Sequence, residues 1–382
     1  TRVQKLQLDN YKLGTLTATM QYEKPNLYCK QGQLKNEGLK YKFSGGLNLD
    51  QKKFKQLRVD ILQGNLVYLD QFLDRELRLV HPVQGRIVVN GSFTQPRLEL
   101  DLDIDDIDET GQLELQGNYW YQKGIDVNLV ARQFKVEPLT NLKSLLDVEI
   151  PVSHLAGEMN LTGRLYGEVS NLNIDSQLQI NQGAINNFQY QQLSGRLKVI
   201  EGNKLLLQQT LQDKGGEILR TNGVVPLNQN QKFDLAVKLR EGNLNLLSLV
   251  VEDLKSIHGR GQADLKLEGS WGNINLQGQA ELDAAGFAHP AFDRKVKELT
   301  GKFNFTGDKI IVDDLRGKYG QGTVEADGSI LLTGLLPQTY NLQVIGTDIA
   351  FKHGSWQGLN DVQLEIKGGF YDPLIKGQII AH

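Results

Sequence analysis

The sequence predicts an all-β repeat protein whose antiparallel strands form one elongated sheet. Three observations predict this class. Apolar and polar residues alternate along most of the chain, short glycine and asparagine clusters separate the alternating segments, and one pattern recurs at a fixed offset. Glycine is abundant, at 40 of 382 residues, while proline is scarce, at 9. Scarce proline suits paired strands, because each of them needs its backbone N–H groups.

The dominant period of two is typical of strands that bury one face and expose the other. In residues 98–105, leucine or isoleucine alternates with glutamate or aspartate, and residues 233–240 repeat the alternation. Pairs such as Gly202-Asn203 and Gly215-Gly216 lie between such segments. They supply the positive backbone φ angles that tight hairpin turns need. We therefore expect a meander of antiparallel strands.

Three short stretches depart from this period and predict a few short helices at repeat junctions. Leucine and other apolar residues recur at helical spacing in residues 65–79 and 243–257, and more weakly in residues 137–146. Two of these stretches belong to an ungapped internal match. The motif Gly-Asn-Leu at 64–66 and the motif Gly-Ser-aromatic at 91–93 recur 178 residues later, at 242–244 and 269–271.

Further copies of the repeat are anchored by Gly163 and Gly368. Repeats longer than about 50 residues exceed helical solenoid units and, with this alternation, predict units of several strands. We expect one continuous array with a strand segment at 1–63, repeats at 64–156, 157–241 and 242–361, and the start of another at 362–382. Compact two-layer sandwiches are the alternative, although no linker rich in proline, serine or charge divides the chain.

Composition and motifs argue against several classes of function. The balance of 42 basic and 45 acidic residues gives no basic surplus for nucleic acid. A single cysteine, Cys29, cannot form an internal disulfide framework. The chain has no G-x-S-x-G, H-E-x-x-H or P-loop motif, so we expect no enzyme activity and no cofactor. The six histidines lie far apart in sequence, so we expect no metal site.

The acidic run that starts at Asp101 begins like a calcium-binding loop. It has Asp106 where such a loop turns on glycine and Gln112 where the bidentate glutamate belongs. In a strand, Asp101, Asp103 and Asp105 instead share one face. We predict a solvated outer face for them, with weak cation or partner binding as the lesser alternative.

Residues 233–282, FDLAVKLREGNLNLLSLVVEDLKSIHGRGQADLKLEGSWGNINLQGQAEL, resemble a stretch that recurs in the bacterial AsmA-like and TamB proteins of the diderm cell envelope. The shared succession is an alternating strand, a short helix, an alternating strand, a glycine-aromatic turn and another alternating strand. Further copies fit at 85–104, at 157–180 and at the C-terminal GGFYDPLIKGQI. The resemblance thus covers most of the chain after Gly64.

The resemblance implies a curled sheet, a U-shaped groove or β-taco, with an apolar interior. It implies a periplasmic location, tethered to the inner membrane by a segment outside this sequence, and phospholipid as the partner. Family members are implicated in phospholipid transport between the two membranes. TamB is also implicated in outer-membrane protein assembly as part of a translocation and assembly module with the barrel protein TamA. Because the sequence starts at Thr1 with no apolar signal core, we expect a fragment of a longer chain.

The apolar positions of the alternating segments are the candidates for the groove lining, since they carry no charge. Alternative functions are a scaffold that adds client strands to its sheet edge, and a β-helix enzyme or lectin with Asp101 and Asp103 facing polysaccharide. The lining candidates are Leu98, Leu100, Leu102, Ile104, Leu113, Leu115, Val127, Leu129, Leu178, Ile180, Leu197, Val199, Leu205, Leu207, Leu235, Val237, Leu239, Leu265, Leu267, Leu276, Leu282, Phe303, Phe305, Ile310, Val312, Leu342, Val344, Leu364 and Ile366.

Overall fold

The structure, a computed structural model, consists almost entirely of β-strands. Its residues group into two compact units, Thr1–Leu145 with Ala156–Asn181 and Arg196–Asn203, and Leu146–Leu155 with Gln182–Gly195 and Lys204–His382. We call these the first and second units. The structure describes residues 2–8, 11–36, 38–66, 80–106, 108, 110–137, 154–168, 170–186, 188–229, 231–249, 255–271, 273–288, 294–353, 356–369 and 372–381.

The first unit is a meander in which each strand pairs antiparallel with the next one in sequence, from β1 to β10. No pairing joins β1 to β10 among its described residues, so the sheet of this unit is open. Its strands β1 to β10 are Arg2–Leu8, Tyr11–Glu23, Asn26–Asn36, Leu39–Asn48, Lys53–Asn65, Pro82–Ser92, Pro96–Asp105, Gln112–Trp120, Gly124–Lys135 and Leu155–Glu168.

The second unit is also an open antiparallel meander, from β13 to β23. Strands β11 (Asn171–Ile185) and β12 (Phe188–Ile200) contribute residues to both units. The predicted all-β, antiparallel fold class is therefore confirmed. Strands β13 to β23 are Lys204–Asp213, Gly216–Pro226, Phe233–Asn243, Lys255–Ser270, Asn273–Ala288, Val296–Gly307, Lys309–Tyr319, Gly322–Thr333, Leu336–His353, Trp356–Gly369 and Pro373–Ala381.

The helix prediction is wrong in type and in extent where the structure describes it. In the stretch 243–257, Leu244–Leu249 form a 3₁₀ helix, residues 250–254 lie outside the described part, and β16 already begins at Lys255. Because Lys255 pairs with Ala288 of β17, residues 255–257 belong to a strand of the sheet and not to a helix. Asn65 likewise ends β5. Residues 67–79 and 138–146 of the other two predicted helices lie outside the described residues.

Several strands are bent at β-bulges where a residue other than glycine has a positive φ. In β9, Gln133 has a φ of 51°, and the register with β10 shifts at this point. The N–H of Gln133, which the bulge removes from the ladder, donates to Oδ1 of Asn160 on β10 at 3.1 Å. A bulge bends its strand and increases the local twist. The same arrangement joins Gln56 to Asn90, Asp314 to Asp327, and Asp348 to Asp361.

Substituting Asn160→Ala removes the acceptor of the bulge N–H. We expect the free energy of unfolding to fall by about 1 kcal/mol, because the exposed donor exchanges a hydrogen bond within the protein for one to water. Urea unfolding followed by circular dichroism measures this loss. The control is Asn128→Ala, an exposed asparagine of β9, for which a change within about 0.5 kcal/mol is expected. Equal losses in the two variants would refute the role given to Asn160.

Candidate functional site

Apolar residues of the first unit line up in rows that run across its strands. Directly paired residues of antiparallel strands lie on the same face of a sheet, so the strand register defines each row. One row runs through Leu34, Tyr41, Ile61, Gly85, Leu102, Leu115, Leu129 and Gly163. The next runs through Phe43, Val59, Ile87, Leu100, Gly117, Val127 and Leu165. The first row extends from β3 to β10 and the second from β4 to β10, and neither contains a charged residue. We call the two rows together the apolar face of this unit.

The second unit has an equivalent apolar face. One row runs through Val237, Leu265, Gly278, Phe305, Ile310, Ile330, Tyr340 and Gly368. The next runs through Leu239, Ala263, Ala280, Phe303, Val312, Gly328, Leu342, Ile366 and Ile375. These rows also lack charge, although every strand that they cross carries charged residues on its opposite side.

Every predicted lining residue is described by the structure, and none of them is exposed. Most keep part of their surface accessible, and five are buried, namely Ile104, Val127, Ile180, Leu276 and Val312. Glu99, Asp101 and Asp103, which alternate with the candidates on β7 (Pro96–Asp105), are exposed. The apolar faces therefore present partly accessible side chains in rows that no charged residue interrupts. Whether a ligand contacts these side chains stays a prediction.

The sequence interpretation missed the part of the apolar face that lies in residues 1–63. Tyr41 and Phe43 on β4, and Val59 and Ile61 on β5, extend both rows of the first unit. The signal is present, because Lys42 separates the first pair and Asp60 the second, giving the same alternation. Bulges shift the register of β4 and β5 twice, which shortens each alternating run and makes it harder to recognise.

Ion pairs between neighbouring strands cover the polar face, the side opposite the apolar rows. Arg164 on β10 holds Asp126 of β9 through Nη2 at 2.6 Å, and Arg196 on β12 holds Asp175 of β11 at 2.7 Å. These hydrogen bonds lower the pKa of both carboxyl groups. Partial burial and repulsion by Glu114 raise the pKa of Asp103 instead. Asp101 and Asp103 are thus exposed on one face of β7, as predicted, whereas Asp105 is half-buried and Asp106, which follows the strand, is buried.

One buried polar cluster interrupts the apolar interior of the first unit. His81 and Asp106 are 2% and 1% exposed and lie beside Phe134, whose ring centroid is 5.2 Å from that of His81. Nδ1 of His81 donates to the carbonyl oxygen of Asp105 at 3.1 Å, and Lys135 N–H donates to Oδ2 of Asp106 at 2.9 Å. The other polar atoms, Nε2 of His81 and Oδ1 of Asp106, have no hydrogen-bond partner.

The pKa of Asp106 is raised, chiefly by burial and slightly by Asp108, against the lowering effects of Lys135 and His81. The folded protein therefore holds this proton more tightly than the unfolded chain does. Ionisation lowers stability as the pH rises from the ordinary carboxyl pKa to the raised one, and the whole cost is present above the raised pKa. Asp106→Asn removes this cost while keeping an oxygen for the Lys135 N–H.

We expect Asp106→Asn to raise the free energy of unfolding by about 1–2 kcal/mol above the raised pKa, since the variant has no buried carboxyl group to ionise. The gain should vanish below the ordinary carboxyl pKa, where Asp106 is protonated in both states. Urea unfolding at a series of pH values tests this. Asp101→Asn, on the exposed face of β7, should change stability by less than about 0.5 kcal/mol. A loss of stability in the Asp106→Asn variant above the raised pKa would contradict this account.

The described residues contain no group of three or more histidine, cysteine, aspartate or glutamate side chains placed to hold a metal ion. No described helix is long and apolar enough to cross a membrane. Cys29 is buried, and its Sγ lies 3.8 Å from the carbonyl oxygen of Phe43. Comparisons with protein-family models, with curated proteins and with solved structures find no match to this chain.

Proposed function

We propose that the apolar faces bind the acyl chains of phospholipids. In this proposal the chain is a non-enzymatic segment of a periplasmic bridge-like protein that supports phospholipid transport between the inner and outer membranes of a diderm bacterium. One observation carries it: uncharged, partly accessible apolar rows extend through successive strands in each unit. The resemblance of residues 233–282 to AsmA-like and TamB proteins, which rests on the same alternation, also supports it.

The energetic requirement explains why an uncharged row matters. Each methylene shielded from water is worth about 0.8 kcal/mol, so a 16-carbon chain needs on the order of 12 kcal/mol of shielding to leave a bilayer. A single unpaired charge beside the chain would cost several kcal/mol of this. The rows of Leu102 and Leu342 support the proposal on this count, because only uncharged residues follow one another along them.

Native mass spectrometry of the purified protein, with lipid extraction and chromatography, tests the proposal. We expect co-purified phospholipid and uptake of a fluorescent phospholipid from vesicles. Uptake by an exposed, nonspecific surface would not saturate, whereas binding to the apolar faces should saturate at a fixed number of lipids per chain. A protein that carries no lipid and takes up none would overturn the proposal.

A second candidate function is a scaffold for outer-membrane β-barrel proteins, with a TamA-type barrel as partner. Strand β23 (Pro373–Ala381) favours it, because Leu374 and Ile380 on one face and Ile375 and Ile379 on the other are each at least 55% exposed. Such a strand can pair with an added strand. Ile380→Pro, on the face of β23 opposite the apolar rows, should then abolish crosslinking to an unfolded barrel client while leaving lipid uptake unchanged. Unchanged crosslinking would exclude the scaffold.

A further inference from the structure

An open cleft of about 760 Å³ lies in the first unit, on the side that carries Arg58 and Arg86. Residues from β2 through β7 line it. Four cationic groups line the cleft, Lys30, Lys55, Arg58 and Arg86, and two carboxylates do so, Glu23 and Glu99.

The two arginines of the cleft share one carboxylate. Nε of Arg58 lies 2.9 Å from Oδ2 of Asp60, and Nε of Arg86 lies 3.3 Å from Oδ1 of the same residue. The cleft and Asp60 together contain four cations and three carboxylates. The adjoining pocket, which shares Arg58 and Arg86, adds Lys42, Asp101 and Asp103, so the charges around the two arginines balance. Elsewhere on the described polar face, Arg164 binds Asp126, which no second arginine contacts, and Arg196 binds Asp175, which it shares with Lys198.

Arg58 and Arg86 contact Asp60 only through Nε, so their Nη1 and Nη2 atoms are available to a ligand. In the described structure these Nη atoms make no hydrogen bond. Arg164 and Arg196 instead use both Nε and Nη2 to bind their carboxylates. Both cleft arginines are well exposed, with 45% of each side chain accessible. Two unused guanidinium forks therefore lie on either side of one carboxylate.

We propose that this cleft binds a phosphate group. A carboxylate has two oxygens and is satisfied by one guanidinium fork, whereas a phosphate monoester has three terminal oxygens and can accept from two forks and an ammonium group. Arg58 and Arg86 provide the forks, and Lys30 or Lys55 provides the ammonium. The site lies on the face opposite the apolar rows, so it is independent of the function proposed above.

Titration of the full chain with inorganic pyrophosphate, followed by isothermal calorimetry, tests the proposal. We expect saturable binding that the double variant Arg58→Gln/Arg86→Gln weakens by about tenfold or more, since both bidentate donors are lost. The lysine pair Arg58→Lys/Arg86→Lys keeps the charge and loses the forks, so it should recover only part of the affinity. Glu99→Gln should tighten binding about twofold to threefold by removing a repelling charge.

The matched control is Arg164→Gln, which removes an arginine of the same face whose fork is already occupied. It should leave pyrophosphate affinity within about twofold. Circular dichroism establishes that each variant is folded. Absence of saturable binding to the parent chain, an equal loss in the control, or equally tight binding of acetate would each overturn the proposal.

Flotation with phosphatidic acid vesicles and with phosphatidylcholine vesicles then distinguishes two ligands, a lipid headgroup and a soluble phosphate compound. If the ligand is a lipid headgroup, the parent protein should float with phosphatidic acid vesicles and the double glutamine variant should not. A soluble phosphate compound predicts pyrophosphate binding with no retention on either vesicle. Both outcomes support the phosphate site, and retention that the double variant keeps would contradict it.

Discussion

Replacing Leu115 by aspartate is expected to remove most of the phospholipid that, in the proposed function, binds to the first unit. Leu115 lies between Leu102 and Leu129 in the middle of an apolar row. A carboxylate there would face the acyl chain, and desolvating it costs several kcal/mol, which corresponds to a reduction in affinity of at least about a hundredfold. The lipid-to-protein ratio after extraction, and the uptake of fluorescent phospholipid, measure the effect.

The neighbouring residue provides the control for this prediction. Gln116 is next to Leu115 on β8 but is exposed on the polar face, so Gln116→Asp adds the same charge on the opposite side. It should leave lipid binding unchanged. Leu342→Asp and Gln343→Asp form the corresponding pair on β21 in the second unit. Thermal unfolding of each variant checks that the fold is kept. If both leucine variants stay folded and bind as much lipid as the parent chain, the apolar faces are not the lipid site.

The faces of the strands can be predicted directly from the sequence, because the side-chain period of a strand is two and charge is excluded from one side. For this reason the alternation in residues 98–105 identifies the apolar positions of β7 without knowledge of its neighbours. The register across strands cannot be predicted in this way. It depends on bulges such as the one at Gln133, where one extra residue shifts all later pairs.

The internal repeat is recognisable in the sequence, but one of its predicted anchors is misplaced. Gly91, Gly269 and Gly368 lie at strand ends with positive φ, next to the turns that follow β6, β16 and β22. Gly163 instead lies within β10, opposite Leu129, and the glycine that corresponds to the other three is Gly167, with a φ of 115°. Sequence spacing cannot separate the two roles, because glycine is needed both at turns and where strands approach closely.

Gly278 is the glycine at a close approach of two strands whose replacement should lower stability most. It lies in an apolar row of the second unit, paired with Leu265 on one side and Phe305 on the other. Its φ is 126°, and a Cβ atom at this position would lie 2.0 Å from the carbonyl oxygen of Asp264. Because this contact is with backbone, no side-chain rotation can relieve it, and β16 and β17 would have to separate.

We therefore expect Gly278→Ala to lower the free energy of unfolding by about 3 kcal/mol or more, from a strained φ and from the displaced strand together. Gly216→Ala is the matched control. Gly216 also has a strongly positive φ, 110°, but a Cβ atom added there would have no other atom within 4 Å. This control should lose only about 1–2 kcal/mol, from the strained φ alone.

Urea unfolding gives the two losses, and amide hydrogen exchange shows where they arise. Faster exchange in Gly278→Ala should be concentrated in β16 to β18, because these strands share the ladder on either side of Gly278. Equal losses in the two variants would mean that backbone conformation alone sets the cost. In that case the close approach of β16 to β17 would not be the reason for glycine in the apolar row.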